Sequence, residues 1–165
     1  MGFSRLLKHL ITPRWWTRRH FRAADRSAIR AAIAASEGQH RGELRFVAEG
    51  PMPLWALLKG QNARQRATDL FIKLGVAQTN EGTGVLIYVQ MLDRQVEILT
   101  DLGIADKVAP YEWQRICRNL ESAFAIGDYR RGVLEAVDAV TAILTRFFPA
   151  NQVNRNELDD EPVIY

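Results

Sequence analysis

The sequence holds a single cysteine, Cys117. No disulfide can close within the chain, and nothing in it calls for an oxidising compartment. A thiol on an apolar helical face is expected to serve packing. Long apolar runs are missing too: none approaches the ~18 residues of a membrane-spanning helix. Leu6-Leu7 and Leu10-Ile11 are too short for the core of a secretory signal, and no small-residue cleavage site follows. A cytoplasmic protein is the expectation. The strand-linked GxGxxG, the Walker loop, HExxH and paired CxxC are all absent. His9, His20 and His40 have no nearby Ser or Cys in a nucleophile motif, which argues against a hydrolase triad. Gly82-Thr83-Gly84 precedes a strand-like run, whereas phosphate-cradling loops precede helices.

Acidic residues are absent from the first 22 positions, which carry Arg5, Lys8, Arg14, Arg18, Arg19 and Arg22. That arm therefore holds +6 of a net +3, and the rest of the chain sums to −3. The body lacks a basic stripe, so nucleic acid is not an expected partner. What remains, 165 residues with 47% hydrophobic and 25% charged, fits one globular domain with a sizeable core.

The chain is organised around residues 82–104. Gly84-Val85-Leu86-Ile87-Tyr88-Val89-Gln90-Met91 is a β-branched, apolar run of strand length, apolar on both faces as in a sheet covered on both sides. Leu92-Asp93-Arg94 is a break of hairpin length. Gln95 to Ile104 returns as a second strand. Such a hairpin sets the start of one strand beside the end of the other. Glu81, Thr83 and the backbone of Gly82 and Gly84 then meet Asp101 and Gly103. Oxygen donors of this kind suit Ca²⁺ or Mg²⁺, and Glu81, Thr83 and Asp101 are the candidate metal ligands; strand-end turns with solvated carboxylates are the plainer alternative.

Around this hairpin the spacing predicts a short helix over 3–11, with Phe3, Leu6, Leu7, Leu10 and Ile11 on one side and Arg5, Lys8 and His9 elsewhere. Trp15, Trp16, Arg18 and Arg19 follow. This mixture of cations and aromatics resembles an interfacial anchor, and Arg5, Lys8, Trp15, Trp16, Arg18 and Arg19 are the candidate membrane or partner contacts; packing of the arm on its own body is equally open. Further on, a helix is predicted over 25–36 with Asp25 as N-cap, a strand over 43–49, and a helical turn near 54–60. A helix over 62–74 is capped by Asn62 with Gln65 and stopped by Gly75. Helices starting at Pro110 and after Asp128, the expected cap of the second, complete the pattern, the last reaching Phe148. Trp55 and Trp113 are expected in the core, Tyr88 buried with its hydroxyl paired, and Arg94 paired with Asp93 or another carboxylate. The layout is an arm over 1–22, a body over 23–149 and a mobile acidic tail over 150–165. The body is an α/β domain: a small mixed sheet with helices on both faces, in which the 62–74 helix crosses between two parallel strands.

Helix 25–36 leading into Gly42-Glu43-Leu44-Arg45-Phe46, helix 62–74, the strand–Asp93-Arg94–strand–Gly103 segment and Gly127-Asp128-Tyr129, in that order, resemble the TPM domain family over residues 23–148. The resemblance implies an αβα sandwich, links to membrane-protein complexes, divalent-cation binding in some members and weak acid phosphatase activity in others. Members commonly carry Asn-Asn-Gly where this chain has Gly82-Thr83-Gly84, and Gly-x-Gly where it has Asp101-Leu102-Gly103-Ile104. The expected function is a non-catalytic accessory or interaction module. It would bind a protein partner and the anionic inner membrane surface, and serve membrane-protein assembly or maintenance. The alternative is a divalent-cation-dependent phosphatase-like hydrolase.

Overall fold

The structure is a computed structural model and describes residues 3–151 and 157–165, without the side chain of Phe3. The arm forms α1 (Phe3–Ile11) and α2 (Trp15–His20). The body runs α3 (Ala23–Glu37), β1 (Glu43–Glu49), α4 (Leu54–Leu58), α5 (Ala63–Lys73), β2 (Gly84–Gln90), β3 (Gln95–Thr100), α6 (Leu102–Ala105), α7 (Pro110–Ala125) and α8 (Tyr129–Phe147). A short β4 (Val163–Ile164) closes the chain.

The sheet is mixed, in the order β3-β2-β1-β4. β1 pairs parallel with β2 from Glu43↔Gly84 to Glu49↔Gln90, and β2 pairs antiparallel with β3. Alternation along the strands divides the core. Leu44, Phe46, Ala48, Val85, Ile87, Val89 and Ile98 join Ile29 and Ile33 of α3 and the buried stripes of α7 and α8. Val47, Leu86, Tyr88 and Leu99 face α5. Every residue of β2 is buried, which explains why its sequence is apolar without a period of two. The expected αβα sandwich is the observed fold.

The caps obey the sequence in part. Asn62 Oδ1 accepts from the Gln65 N–H at 2.9 Å, and Gln65 Oε1 accepts from the Asn62 N–H at 3.0 Å. Gly75 ends the segment at φ +74°, where a Cβ would be strained. Pro110 opens α7. Asp25, however, is not an N-cap. The helix begins two residues earlier, and Asp25 reaches back to accept from the Arg22 N–H at 3.0 Å. Asp128 likewise spends its carboxylate on Arg131, at 2.6 Å, and does not cap α8.

Two expectations change. The return strand stops at Thr100, because Asp101 caps α6 and turns the chain away. The end of the tail, predicted mobile, is docked. β4 pairs parallel with β1, and the Tyr165 N–H donates to the Ala48 carbonyl at 3.0 Å. Glu157 accepts from Asn80, and Leu158 N–H donates to Glu43 at 3.0 Å. Unpaired groups along the edge of β1 supply the reason: they offer a ready ladder that the tail completes. Positions 152–156 of that expected tail lie outside the described residues.

At the carboxyl end of β1 the fold buries a charged triad. Arg66 Nε and Nη2 donate to both Glu49 oxygens at 2.6–3.2 Å, and the Tyr88 hydroxyl donates to Glu49 Oε2 at 2.8 Å. Burial first, then the Glu49 carboxylate, push the Tyr88 phenol above its ordinary value. Tyr88 is thus buried and paired, as expected. Trp113 is core, but Trp55 stands 46% exposed on α4.

Candidate functional site

Two regions hold the residues that the sequence singled out, at opposite ends of the β2–β3 hairpin. At the first, β2 begins as β3 ends, and Val85 lies opposite Thr100. The Asp101 N–H donates to the Gly84 carbonyl at 2.9 Å and the Gly103 N–H to the Gly82 carbonyl at 3.0 Å. Glu81, Thr83 and Asp101 therefore do share one edge. A Cβ on Gly103 would sit 2.7 Å from the Glu81 carbonyl oxygen. The glycine here lets the chain approach itself, not a ligand.

Each candidate ligand already has work within the protein. Glu81 pairs with Arg41 at 2.5 Å. The Thr83 hydroxyl donates to the Arg41 carbonyl at 2.9 Å. Asp101 Oδ1 accepts from the Leu102 N–H at 2.7 Å. Oxygen donors suit a hard cation, yet a guanidinium occupies the strongest of them, so the edge as arranged does not fit a resident Ca²⁺ or Mg²⁺. Among the described residues no group of three or more His, Cys, Asp or Glu is arranged to hold a metal ion. Cys117 is half-buried, and burial leads in pushing its thiol up to about 11, so it stays protonated near neutrality and is a poor nucleophile.

At the other end, the turn carries the arm. Gln90 Oε1 accepts from the Leu92 and Asp93 N–H groups at 2.8 and 3.2 Å, which holds the turn. Asp93 then receives Arg5 Nε at 2.9 Å and His9 Nε2 at 3.1 Å. The Met52 N–H donates to His9 Nδ1 at 3.0 Å, which fixes the His9 tautomer with its proton on Nε2. Burial works to raise the Asp93 pKa, but the hydrogen bonds from His9 and Arg5 outweigh it and hold the carboxyl at about 2. Lys8 Nζ donates to the Leu92 carbonyl. Leu6 packs on Met52, Ala56 and Leu57.

The arm is therefore docked by the polar side of α1, the reverse of an ordinary amphipathic surface helix. Leu7, Leu10, Ile11 and Trp15 point outward, 47–70% exposed. Of the predicted contact residues, Arg5 and Lys8 are engaged with the body. Trp16 packs against the core and on His20, with ring centroids 4.3 Å apart. Trp15, Arg18 and Arg19 remain exposed. Gly50 makes room for α2, since a Cβ there would lie 2.1 Å from Thr17 Oγ1. Arg94, expected in a carboxylate pair, makes none among the described residues. Asp93 is taken by the arm, and Arg94 turns away at φ +55°. Asp93 as the arm's anchor was not foreseen: its partners lie 84 and 88 residues away, and no local spacing announces them.

A three-layer αβα body with a mixed four-stranded sheet, carrying an N-terminal helical arm on its hairpin turn, defines the class. The TPM domain profile matches residues 18–143, and the chain belongs to the TPM domain family. It is similar to the BA42 protein from the psychrophilic bacterium Bizionia argentinensis, at 26% identity and a TM-score of 0.76, over 87% of this chain and 94% of that one. The N-terminal domain of a P. gingivalis protein shares the fold at 18% identity and a TM-score of 0.63, over 86% and 93% of the two chains. Among curated proteins none matches the chain. The family match leaves out α1 and the start of α2, where Leu7, Leu10, Ile11 and Trp15 are exposed.

Proposed function

We propose that the protein is a non-catalytic accessory module that seats on an anionic membrane surface, as at the inner leaflet, where it serves a membrane-protein partner. The observation that carries this reading is the inverted α1. Its cations and His9 tie it to the body, and Leu7, Leu10 and Ile11 face outward with Trp15. Arg14, Arg18 and Arg19 lie alongside on and before α2. Among the described residues no helix is long and apolar enough to cross a membrane, so contact would be interfacial. Apolar side chains contribute ~1.5–3 kcal/mol each when fully buried. Cations near an anionic leaflet add ~1 kcal/mol each, so the two terms together suffice for peripheral binding.

Co-sedimentation with phosphatidylserine-containing vesicles tests the reading. Leu10→Ser/Ile11→Ser alters exposed positions and leaves the fold intact. It is expected to weaken vesicle binding by about tenfold or more, since each ~1.4 kcal/mol is a factor of ten. Equal binding by the two proteins, or none by either, would sink the proposal. Cation-dependent phosphatase chemistry ranks second: Glu81 and Asp101 share an edge, but Arg41 holds Glu81, and Asp93 sits at the far end of the hairpin bound to the arm.

A further inference from the structure

A cavity of about 470 Å³ opens between the β2–β3 hairpin, the α7–α8 turn and the arm. Its volume falls in the ~300–1,000 Å³ range of small-molecule sites. Val89, Met91 and Val96 of the hairpin, all buried, line it on the sheet side. Phe124 of α7 and Tyr129 of α8 form a second wall, and Trp16 of α2 a third. The rings belong to one run of contacts through His20. Centroids lie 4.3 Å apart from Trp16 to His20, 4.9 Å from His20 to Tyr129 and 4.9 Å from Tyr129 to Phe124. The last two contacts are edge-on, a favoured arrangement for aromatic neighbours. The apolar walls are thus held by packing and by the docked arm.

The cavity also has one charged side chain of each sign, Arg94 and Glu121. Glu121 Oε1 accepts from the Val96 N–H at 3.0 Å, which ties this carboxylate to the hairpin two residues beyond Arg94. Two residues of extended chain span ~7 Å, so the carboxylate and the Arg94 backbone are neighbours on the hairpin wall. The two do not pair with each other. Neither the Arg94 guanidinium nor the Glu121 carboxylate makes an ion pair among the described residues. A cation and an anion, each without a counter-charge, therefore border one apolar concavity.

We propose that this cavity binds a free α-amino acid with an apolar or aromatic side chain. Its carboxylate matches the fork of the Arg94 guanidinium. Its ammonium matches Glu121 and gains from the neighbouring ring faces, and its side chain meets the aliphatic and aromatic walls. A ligand with one charge would leave the opposite wall charge unanswered. A peptide terminus carries only one of the two charges, so the free amino acid is the better match. Trp16 precedes the family match, which starts at residue 18, so this wall is supplied by the arm and the site is complete only when the arm is docked. The site needs no membrane and does not rest on the accessory-module reading.

Calorimetric titration of L-phenylalanine and of L-leucine into the full chain tests the site. Saturable binding at millimolar concentration or below is expected. Phenethylamine and hydrocinnamate keep the ring and lack one charge each; glycine keeps both charges and lacks the side chain. All three are expected to bind about tenfold more weakly, or worse. Arg94→Gln is expected to weaken phenylalanine by about tenfold without further weakening phenethylamine. Glu121→Gln keeps an acceptor for the Val96 N–H; it is expected to weaken phenylalanine similarly and to spare hydrocinnamate. Circular dichroism checks that both variants fold. This crossed pattern assigns each charge to its partner, and a merely structural role would not produce it. No saturable binding of either amino acid overturns the proposal. So does a probe lacking one charge or the side chain that binds as well as phenylalanine, and so does phenylalanine binding that either variant leaves intact.

Discussion

Arg66→Ala is expected to destabilise the protein by about 3–5 kcal/mol, the usual cost of leaving one member of a buried ion pair behind. Glu49 is 1% exposed and Arg66 6% exposed, so water cannot replace the lost guanidinium. Three donor contacts from Arg66 would vanish, and only the Tyr88 hydroxyl would still serve the carboxylate. Replacing both partners by apolar residues of similar size, Glu49→Leu with Arg66→Met, removes the charge with its counter-charge. That variant is expected to lose much less, about 1–2 kcal/mol, chiefly from the orphaned Tyr88 hydroxyl. Urea unfolding of the two variants separates these cases. A single variant no worse than the double would show that the pair is not load-coupled in this way.

The second large effect lies at the arm. Asp93→Ala removes the acceptor shared by Arg5 and the buried His9, and α1 then keeps Leu6, the Lys8 contact, the Met52–His9 bond and the Arg5 bonds to the Gln61 carbonyl and Met52 Sδ. A loss of about 2–3 kcal/mol is expected, and trypsin should cut the arm faster. The same carboxylate gives a pH signature. Its folded-state pKa of about 2 lies below the ordinary 3.8, so the unfolded chain binds the proton more tightly. Its stabilisation is therefore fully present above about pH 4 and is lost as the pH falls through about 2. Unfolding measured across that window should show a steeper acid loss for the native sequence than for Asp93→Asn. Parallel curves would contradict the Asp93 account.

Much of the fold was legible because local signals agreed. The strand over 43–49 has its predicted bounds, since Gly42 precedes it and Gly50-Pro51 stops it. Asn62 with Gln65 fixed the start of α5, and the apolar β2 run announced a strand covered on both faces. What stayed hidden depends on distant partners. Val163-Ile164 is too short for any periodicity to mark it, and it becomes a strand only because the edge of β1 is free. The return strand looked longer than it is, because Leu102 and Ile104 are apolar while Asp101 caps a helix. Of the candidate metal residues, proximity was foreseen but Arg41 was not, as it lies 40 residues from Glu81. For the arm, the amphipathic pattern of α1 was correct; which side it turns to the body follows from Asp93 and Met52, far away in sequence.

The central claim is that α1 turns its apolar side away from the body and into a membrane. A nitroxide at Ile11→Cys, placed in a Cys117→Ser background, measures this directly by electron paramagnetic resonance. With anionic vesicles added, the account predicts that oxygen accessibility rises and access to a water-soluble nickel chelate falls, as the label enters the acyl boundary. Unchanged access to the chelate, with vesicles in excess, would contradict it and place α1 in water.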